Sequence, residues 1–275
     1  MKKEVKLFND NFEINLTDYP NLKFLNFEEE GVSVQSNTTE MKGTDGVLMG
    51  RTSFGTFNLI INLSYLGQDV EDLRLMKQKL RGILFQREPY VVWHSDMPGK
   101  KYVVYCEEDG NSGLTASFST FSVKFVVIKG YSESLKETDE FSLSNGKWQL
   151  EGGLLSDSEI KYSHNTTSFQ IYNGSSDTID PHLRHKFKMI INIDAPKGFK
   201  ITNKTTGTVF EYKKSIKKNE TITINGVHPF IGDKRVGIDT NWKWLTLEKG
   251  FNDIEITGVT LGSTKTQWIF PFIYR

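Results

Sequence analysis

The chain has 275 residues, of which 37% are hydrophobic and 25% charged, an ordinary globular balance with enough apolar material for one large or two modest domains. Its formal net charge is +0, with no basic excess or tail to meet phosphate, so nucleic acid is not an expected partner. One cysteine, Cys106, excludes an intramolecular disulfide framework.

No apolar run approaches membrane-spanning length, so no membrane partner is expected. With little self-repulsion, assembly with copies of the same chain is not opposed. The opening residues Met1-Lys2-Lys3-Glu4-Val5-Lys6 lead into a polar stretch without an apolar signal core. Synthesis in a cytoplasm without signal-peptide export is therefore expected. Asn-X-Ser/Thr triplets such as Asn165-Thr166-Thr167 say little without such a signal.

In chain order, Phe12, Ile14 and Leu16 alternate along a candidate strand, and Val32 and Val34 start another. The segment from Thr38 to Gly55, rich in Thr, Gly and polar residues, reads as a long loop or a loosely packed hairpin arm. Long arms often have a partner to grip. Phe57, Leu59, Ile61, Leu63 and Tyr65 then share one face of a clear strand.

One long amphipathic helix follows. Val70, Leu73, Met76, Leu80, Ile83 and Leu84 fall on one stripe, Asp69 is a good N-cap, and Leu75 lies off the stripe. Acids near its start and bases near its end complement the helix dipole. A lone helix among strands suggests a packing element laid across a sheet. Pro98-Gly99 predicts a hairpin between Pro89–His94 and Lys101–Glu107, and Asp109-Gly110 predicts the next turn. Phe121, Val123, Phe125 and Val127 give a further strand.

The polar, acidic stretch 133–140 reads as a linker, separating a domain of residues 1–132 from one of residues 141–275. Beyond it, Asn145-Gly146, Asn173-Gly174 and Asn225-Gly226 punctuate short runs: Phe169–Tyr172, Phe187–Ile193, Thr208–Tyr212, Thr221–Ile224, Trp244–Leu247, Ile254–Ile256 and Trp268–Ile273. Such spacing suggests a β-sandwich. The residues thus give a mainly β fold class in two domains, the first with one α-helix.

Chemistry-bearing patterns are sparse. His182 and His185 sit close together but lack a third ligand, so no metal is expected. Neither a nucleophile elbow nor an HExxH helix is present, and Gly152-Gly153 has no P-loop lysine. A pair of catalytic acids is defined by its separation in space, which leaves a sandwich-fold hydrolase as an alternative. Cys106, in an alternating strand, reads as a small buried hydrophobe. No catalytic, cofactor or metal residue is assigned. The segment around Trp242 and Trp244 is the candidate partner or glycan contact. In an extended chain the two tryptophans share a face, opposite Leu245 and Leu247 with Lys243 on the leucine side. Either the tryptophans face outward or one sheet buries them.

The order Asp45-Gly46, strand Phe57–Tyr65, helix from Asp69, Phe85 and a hairpin turning at Pro98-Gly99-Lys100 carries a family likeness. So do Leu247-x-x-Gly250-x-Asn252-x-Ile254 and a closing strand from Trp268 to Arg275. Over nearly its whole length the sequence resembles the distal tail proteins (Dit) of siphophages that infect Gram-positive bacteria. The resemblance implies a non-enzymatic virion protein of the tail tip (baseplate), made in the host bacterial cytoplasm and needing no cofactor. It implies two β-sandwich domains, the first with one α-helix and a hairpin arm, and a homo-hexameric ring formed by that first domain, with the tail tube protein on one side and a tail-associated lysin or fibre protein on the other. The second domain would be galectin-like or like a carbohydrate-binding module and would hold receptor-binding or other baseplate proteins. A free-standing carbohydrate-binding module attaching to cell-wall glycans is the alternative.

Overall fold

Alternation at period two becomes antiparallel sheet in the computed structural model, which describes residues 2–115, 117–142, 148 and 160–275. The chain divides into two units, Met1–Glu133 with Arg275, and Ser134–Tyr274. The architecture is mainly β, with one α-helix among the described residues.

The first unit runs β1 (Val5–Phe8), β2 (Glu13–Asn15), β3 (Leu22–Glu29), β4 (Val34–Glu40), β5 (Val47–Phe54), β6 (Phe57–Leu66), α1 (Val70–Leu84), β7 (Tyr90–His94), β8 (Lys100–Thr115) and β9 (Phe118–Val127). Seven of these strands form one sheet in the order β2-β1-β7-β8-β9-β6-β3. The inward sets of β6 and β9 are buried and in register, Ile61 opposite Val123 and Leu63 opposite Phe121. A one-residue slip would turn either set to water, so the pairing is strongly specified. The sheet folds over its own core. Phe27 of β3 lies 4.2 Å, ring to ring, from His94 of β7, although three strands separate them in the sheet.

Helix α1 starts where Asp69 Oδ1 accepts the Asp72 N–H at 2.8 Å. Leu73, Leu80 and Leu84 are buried in the first unit's core, with Met76 and Ile83 packed at its margin. Val70, at the first helical position, is exposed, so the buried stripe begins at Leu73. Pro98-Gly99 lies in the β7–β8 turn, where Lys100 N–H donates to Met97 O at 3.0 Å. Asp109-Gly110 does not turn the chain. β8 continues to Thr115, pairing with β9 past register shifts at Cys106/Glu108 and Asn111/Gly113, so ladder pairing overrides the local turn preference. Cys106 is half-buried and packs against the core.

Strands β4 and β5 pair only with each other and make a hairpin arm whose residues 33–50 are all exposed. Its root is tight: Gly55 N–H donates to Ser33 O at 2.8 Å. Gly130, at φ +70°, crosses so close that a Cβ there would lie 2.6 Å from Gly55 O.

The short strand β10 (Ser132–Ser134) carries the chain into the second unit. There follow β11 (Ser163–His164), β12 (Ser168–Asn173), β13 (Lys188–Asn192), β14 (Phe199–Asn203), β15 (Thr208–Tyr212), β16 (Thr221–Asn225), β17 (His228–Ile231), β18 (Lys234–Arg235), β19 (Gly250–Thr257), β20 (Lys265–Ile269) and β21 (Ile273–Tyr274). A six-stranded sheet, β11-β20-β13-β16-β17-β18, faces a four-stranded sheet, β12-β19-β14-β15. Phe169 of β12 meets Trp268 of β20 edge to face between them, at 6.1 Å. At Asn225-Gly226 the chain turns tightly from β16 to β17, with Gly226 at φ +59°.

Two expectations are corrected here, and two strands are added that the sequence reading did not include. Trp244–Leu247 is not a strand; its one sheet-like contact among the described residues is an isolated bridge from Leu247 to Ile179. Strands β14 and β17 arise from Phe199–Asn203 and His228–Ile231, which carry weaker apolar runs. The stretch 133–140, expected as a linker, is packed from Ser134 onward. Ser134 N–H donates to Phe272 O at 2.7 Å, and Thr138 Oγ1 donates to Trp268 O at 2.8 Å. Its polar side chains serve the backbone of the closing strands, which is why polarity there does not mean solvent. Asn145-Gly146 and Gly152-Gly153 lie outside the described residues.

The Leu247-x-x-Gly250-x-Asn252-x-Ile254 pattern has a structural cause. Asn252 is fully buried; its Nδ2 donates to Glu248 O at 2.8 Å and Gly250 O at 3.1 Å, and its Oδ1 accepts Glu248 N–H at 2.9 Å. Gly250 sits at φ +92°, a conformation that favours glycine.

Candidate functional site

The tryptophan segment does not run as an extended strand. Trp242 has φ +55°, the left-handed region that a bulky side chain rarely adopts. The loop is instead stitched to the outer edge of β15. Lys213 N–H donates to Asp239 O at 2.8 Å, Asn241 N–H to Glu211 O at 3.1 Å, and Asn241 Nδ2 to Val209 O at 2.9 Å. This covers a sheet edge that would otherwise be bare. Thr240 Oγ1 donates to Gly237 O at 2.7 Å and accepts Trp242 N–H at 3.2 Å. The indole packs on Gly237, where even a Cβ would be in ordinary contact with the ring at 3.4 Å.

The tryptophans therefore differ. Trp242 is 64% exposed. Trp244 is half-buried, its Nε1–H donating to Val227 O at 3.0 Å and its ring meeting His182 edge to face at 4.1 Å. Leu245 and Leu247 are buried. Lys243 is exposed and borders the same cleft as the tryptophans, contrary to its expected place on the leucine side. Period-two geometry does not hold across a residue with positive φ, yet both indoles line one cleft of about 330 Å³. Arg235 and Ile238, which sequence reasoning did not single out, also line it. Ile238 is 81% exposed on a short turn that has no amphipathic pattern to mark it.

The titratable side chains at this cleft are His228, Arg235 and Lys243. None of its twelve lining residues is a carboxylate. Among the described residues no group of three or more His, Cys, Asp or Glu is placed to hold a metal ion. His182 and His185 have separate roles: His185 is buried and its Nδ1 accepts Asp180 N–H at 3.1 Å, while His182 packs on Trp244. Among the described residues no helix is long and apolar enough to cross a membrane.

A buried imidazole without hydrogen-bond partners lies in the first unit. His94 is fully buried, stacked on Tyr102 at 5.6 Å, and neither ring nitrogen has a hydrogen-bond partner. Burial lowers its pKa to about 4, with Lys100 and Lys3 acting in the same direction and Asp96 opposing them.

Comparison with known proteins connects both units to phage tails. Residues 10–127 match the phage tail protein RIFT-related domain, and residues 153–261 match the phage tail C-terminal domain. The fold is similar to that of the SPP1 Dit protein, described as a paradigm of hub adsorption apparatus in Gram-positive-infecting phages. That match has a TM-score of 0.67 at 12% identity, over 98% of this chain and 99% of that one. Chains of the phage p2 baseplate in its activated conformation, with Sr and with Ca, align at 14% identity with TM-scores of 0.44 and 0.45. They cover 98% and 99% of this chain and 98% of each p2 chain. No curated protein matches the chain. The two matches together place most of the chain in phage tail protein domain families, on a fold similar to that of a distal tail protein.

Proposed function

We propose that the chain is a structural, non-catalytic hub of the tail tip. Six copies would close into a ring through the first domain. The tail tube protein would meet one side of the ring and a tail-associated lysin or fibre protein the other. The second domain would hold receptor-binding or other baseplate proteins.

The β4–β5 arm carries this reading. A two-stranded hairpin is marginal in water by itself. This one presents Val34, Met41, Val47, Leu48, Met49 and Phe54 to solvent, each at least 42% exposed. Such a surface fits a seat on another protein, and a second copy of the chain is the occupant proposed. An arm that grips a different surface of the next copy makes a head-to-tail contact, which must close into a ring or polymerise. The formal charge of +0 sets little repulsion against it. The shared fold with the SPP1 Dit protein supports the same reading.

Excising residues 34–54 tests it. Ser33 and Gly55 are already joined by a hydrogen bond of 2.8 Å, so a short Gly-Ser bridge closes the gap. Sedimentation velocity should show a closed oligomer for the full chain and a folded monomer for the armless variant. Equal sedimentation of the two would remove the arm from the assembly.

A further inference from the structure

The cleft of the second domain carries a chemical signature that narrows what it can hold. Two of its hydrogen-bonding side chains are committed within the fold. The Trp244 Nε1–H is given to Val227 O, and Thr240 Oγ1 serves Gly237 O and the Trp242 N–H. No Asp, Glu, Asn or Gln side chain lines it. Neutral sugars are read through their hydroxyls by such groups, with aromatic rings only as platforms. The cleft keeps the platform, but the polar side chains left on its wall, His228, Arg235 and Lys243, are basic or donor groups better matched to a carboxylate than to a neutral ring of hydroxyls.

What remains is apolar surface bordered by positive charge. Trp242 and Ile238 stand exposed beside the cleft. Arg235 and Lys243 line it, and among the described residues neither pairs with a carboxylate; Arg235 packs over Phe230 at 5.8 Å. The nearby acid Asp239 is engaged by Lys214 at 2.8 Å. Holding Trp242 in the left-handed region strains the backbone, and such strain persists only where the surroundings impose it. Here the Asn241 and Thr240 hydrogen bonds impose it, and they present the indole to solvent.

We propose that this cleft is the docking site for an acidic, extended segment of another protein. An apolar side chain would seat against Trp242, Trp244 and Ile238, with flanking carboxylates on Arg235 and Lys243. The volume of about 330 Å³ suits one large side chain, and a guanidinium is well shaped for carboxylate. Aromatic and arginine side chains also dominate interface hot spots. The proposal rests on the reading of the second domain as a holder of baseplate parts and supplies the chemistry of the part held.

The test uses the full chain and fluorescein-labelled short peptides in which one Phe, Leu or Trp is flanked by glutamates, by serines or by lysines. Binding is read by fluorescence anisotropy at low and moderate salt. The glutamate-flanked set should bind at least tenfold more tightly than the serine set, weaken with salt, and leave the lysine set unbound. Trp242→Ala and the Arg235→Glu/Lys243→Glu double variant should each lose tenfold or more, with unchanged melting temperatures because all three side chains face solvent. Chitotetraose should not compete. Equal binding of the three peptide sets, or acidic-peptide binding that survives both variants, would overturn the proposal. So would competition by chitotetraose or poly(glycerol phosphate) that depends on Trp242, which would make the cleft a glycan site. Ring formation is measured separately by mass, so a ring that ignores acidic peptides would sink this proposal alone.

Discussion

The phenol of Tyr90 donates a 2.7 Å hydrogen bond to the carbonyl oxygen of Leu84, the last residue of α1. Both residues are buried, so the sheet itself satisfies a carbonyl that the helix end leaves without an intrahelical donor. Burial pushes the Tyr90 phenol well above its usual range, so it stays a donor at any pH the protein meets. Tyr90→Phe keeps the ring and orphans the carbonyl. The first domain should lose about 1–3 kcal/mol in urea unfolding, with α1 the first segment to gain hydrogen exchange.

His94 should make the first domain acid-sensitive. Its pKa of about 4 in the folded state lies below the unfolded value of 6.5. The unfolded chain therefore takes up a proton that the native chain refuses. Stability contributed by neutral burial is full above about pH 6.5, falls as the pH drops toward 4, and levels below that. The span corresponds to roughly 3 kcal/mol. His94→Phe retains a ring between Phe27 and Tyr102 and should flatten this part of the stability–pH curve. Wild-type and variant curves of equal slope between pH 4 and 6.5 would show that the imidazole is not kept neutral.

The helix stripe can be tested by contrast. Leu73 and Leu80 are buried, whereas Leu75 is 65% exposed. Leu73→Ala and Leu80→Ala should each cost about 2–5 kcal/mol, because a cavity remains. Leu75→Ala should change thermal stability by less than about 0.5 kcal/mol. A similar loss at all three positions would show that the helix is not docked by this face.

In the second domain, Asn252 links the turn at 248–250 to β14 by accepting from Asn203 Nδ2 at 2.9 Å. Asn252→Ala removes donor and acceptor together and orphans buried partners on both sides. We expect a loss of about 2–4 kcal/mol, with binding at the cleft weakened only through unfolding. Asn252→Asp should be at least as damaging, because its carboxylate would face the Glu248 and Gly250 carbonyls that the amide now bonds.

Much of this was legible in the sequence where one physical signal dominated. The alternation Phe57–Tyr65, the cap at Asp69 and the proline–glycine turn at 98–99 each reflect a local preference that the packing reinforces. Where tertiary context opposed local preference, the sequence misled. Asp109-Gly110 is held straight by pairing with β9, and the polar run 133–140 is polar because it caps buried backbone. The cleft was half legible. The two indoles stood out as large and close together, but their shared surface comes from a positive φ at Trp242, which composition does not signal. Arg235 and Ile238 reach the cleft through the loop stitched to β15, a long-range arrangement with no periodic trace.

The central claim is assembly through the first domain, and native mass spectrometry of the full chain tests it most directly. One copy is 31.5 kDa, so a ring of six copies should appear at about 6 × 31.5 = 189 kDa. That species should persist on dilution and vanish when residues 34–54 are excised. A folded chain that stays at 31.5 kDa at every concentration, arm intact, would contradict the account.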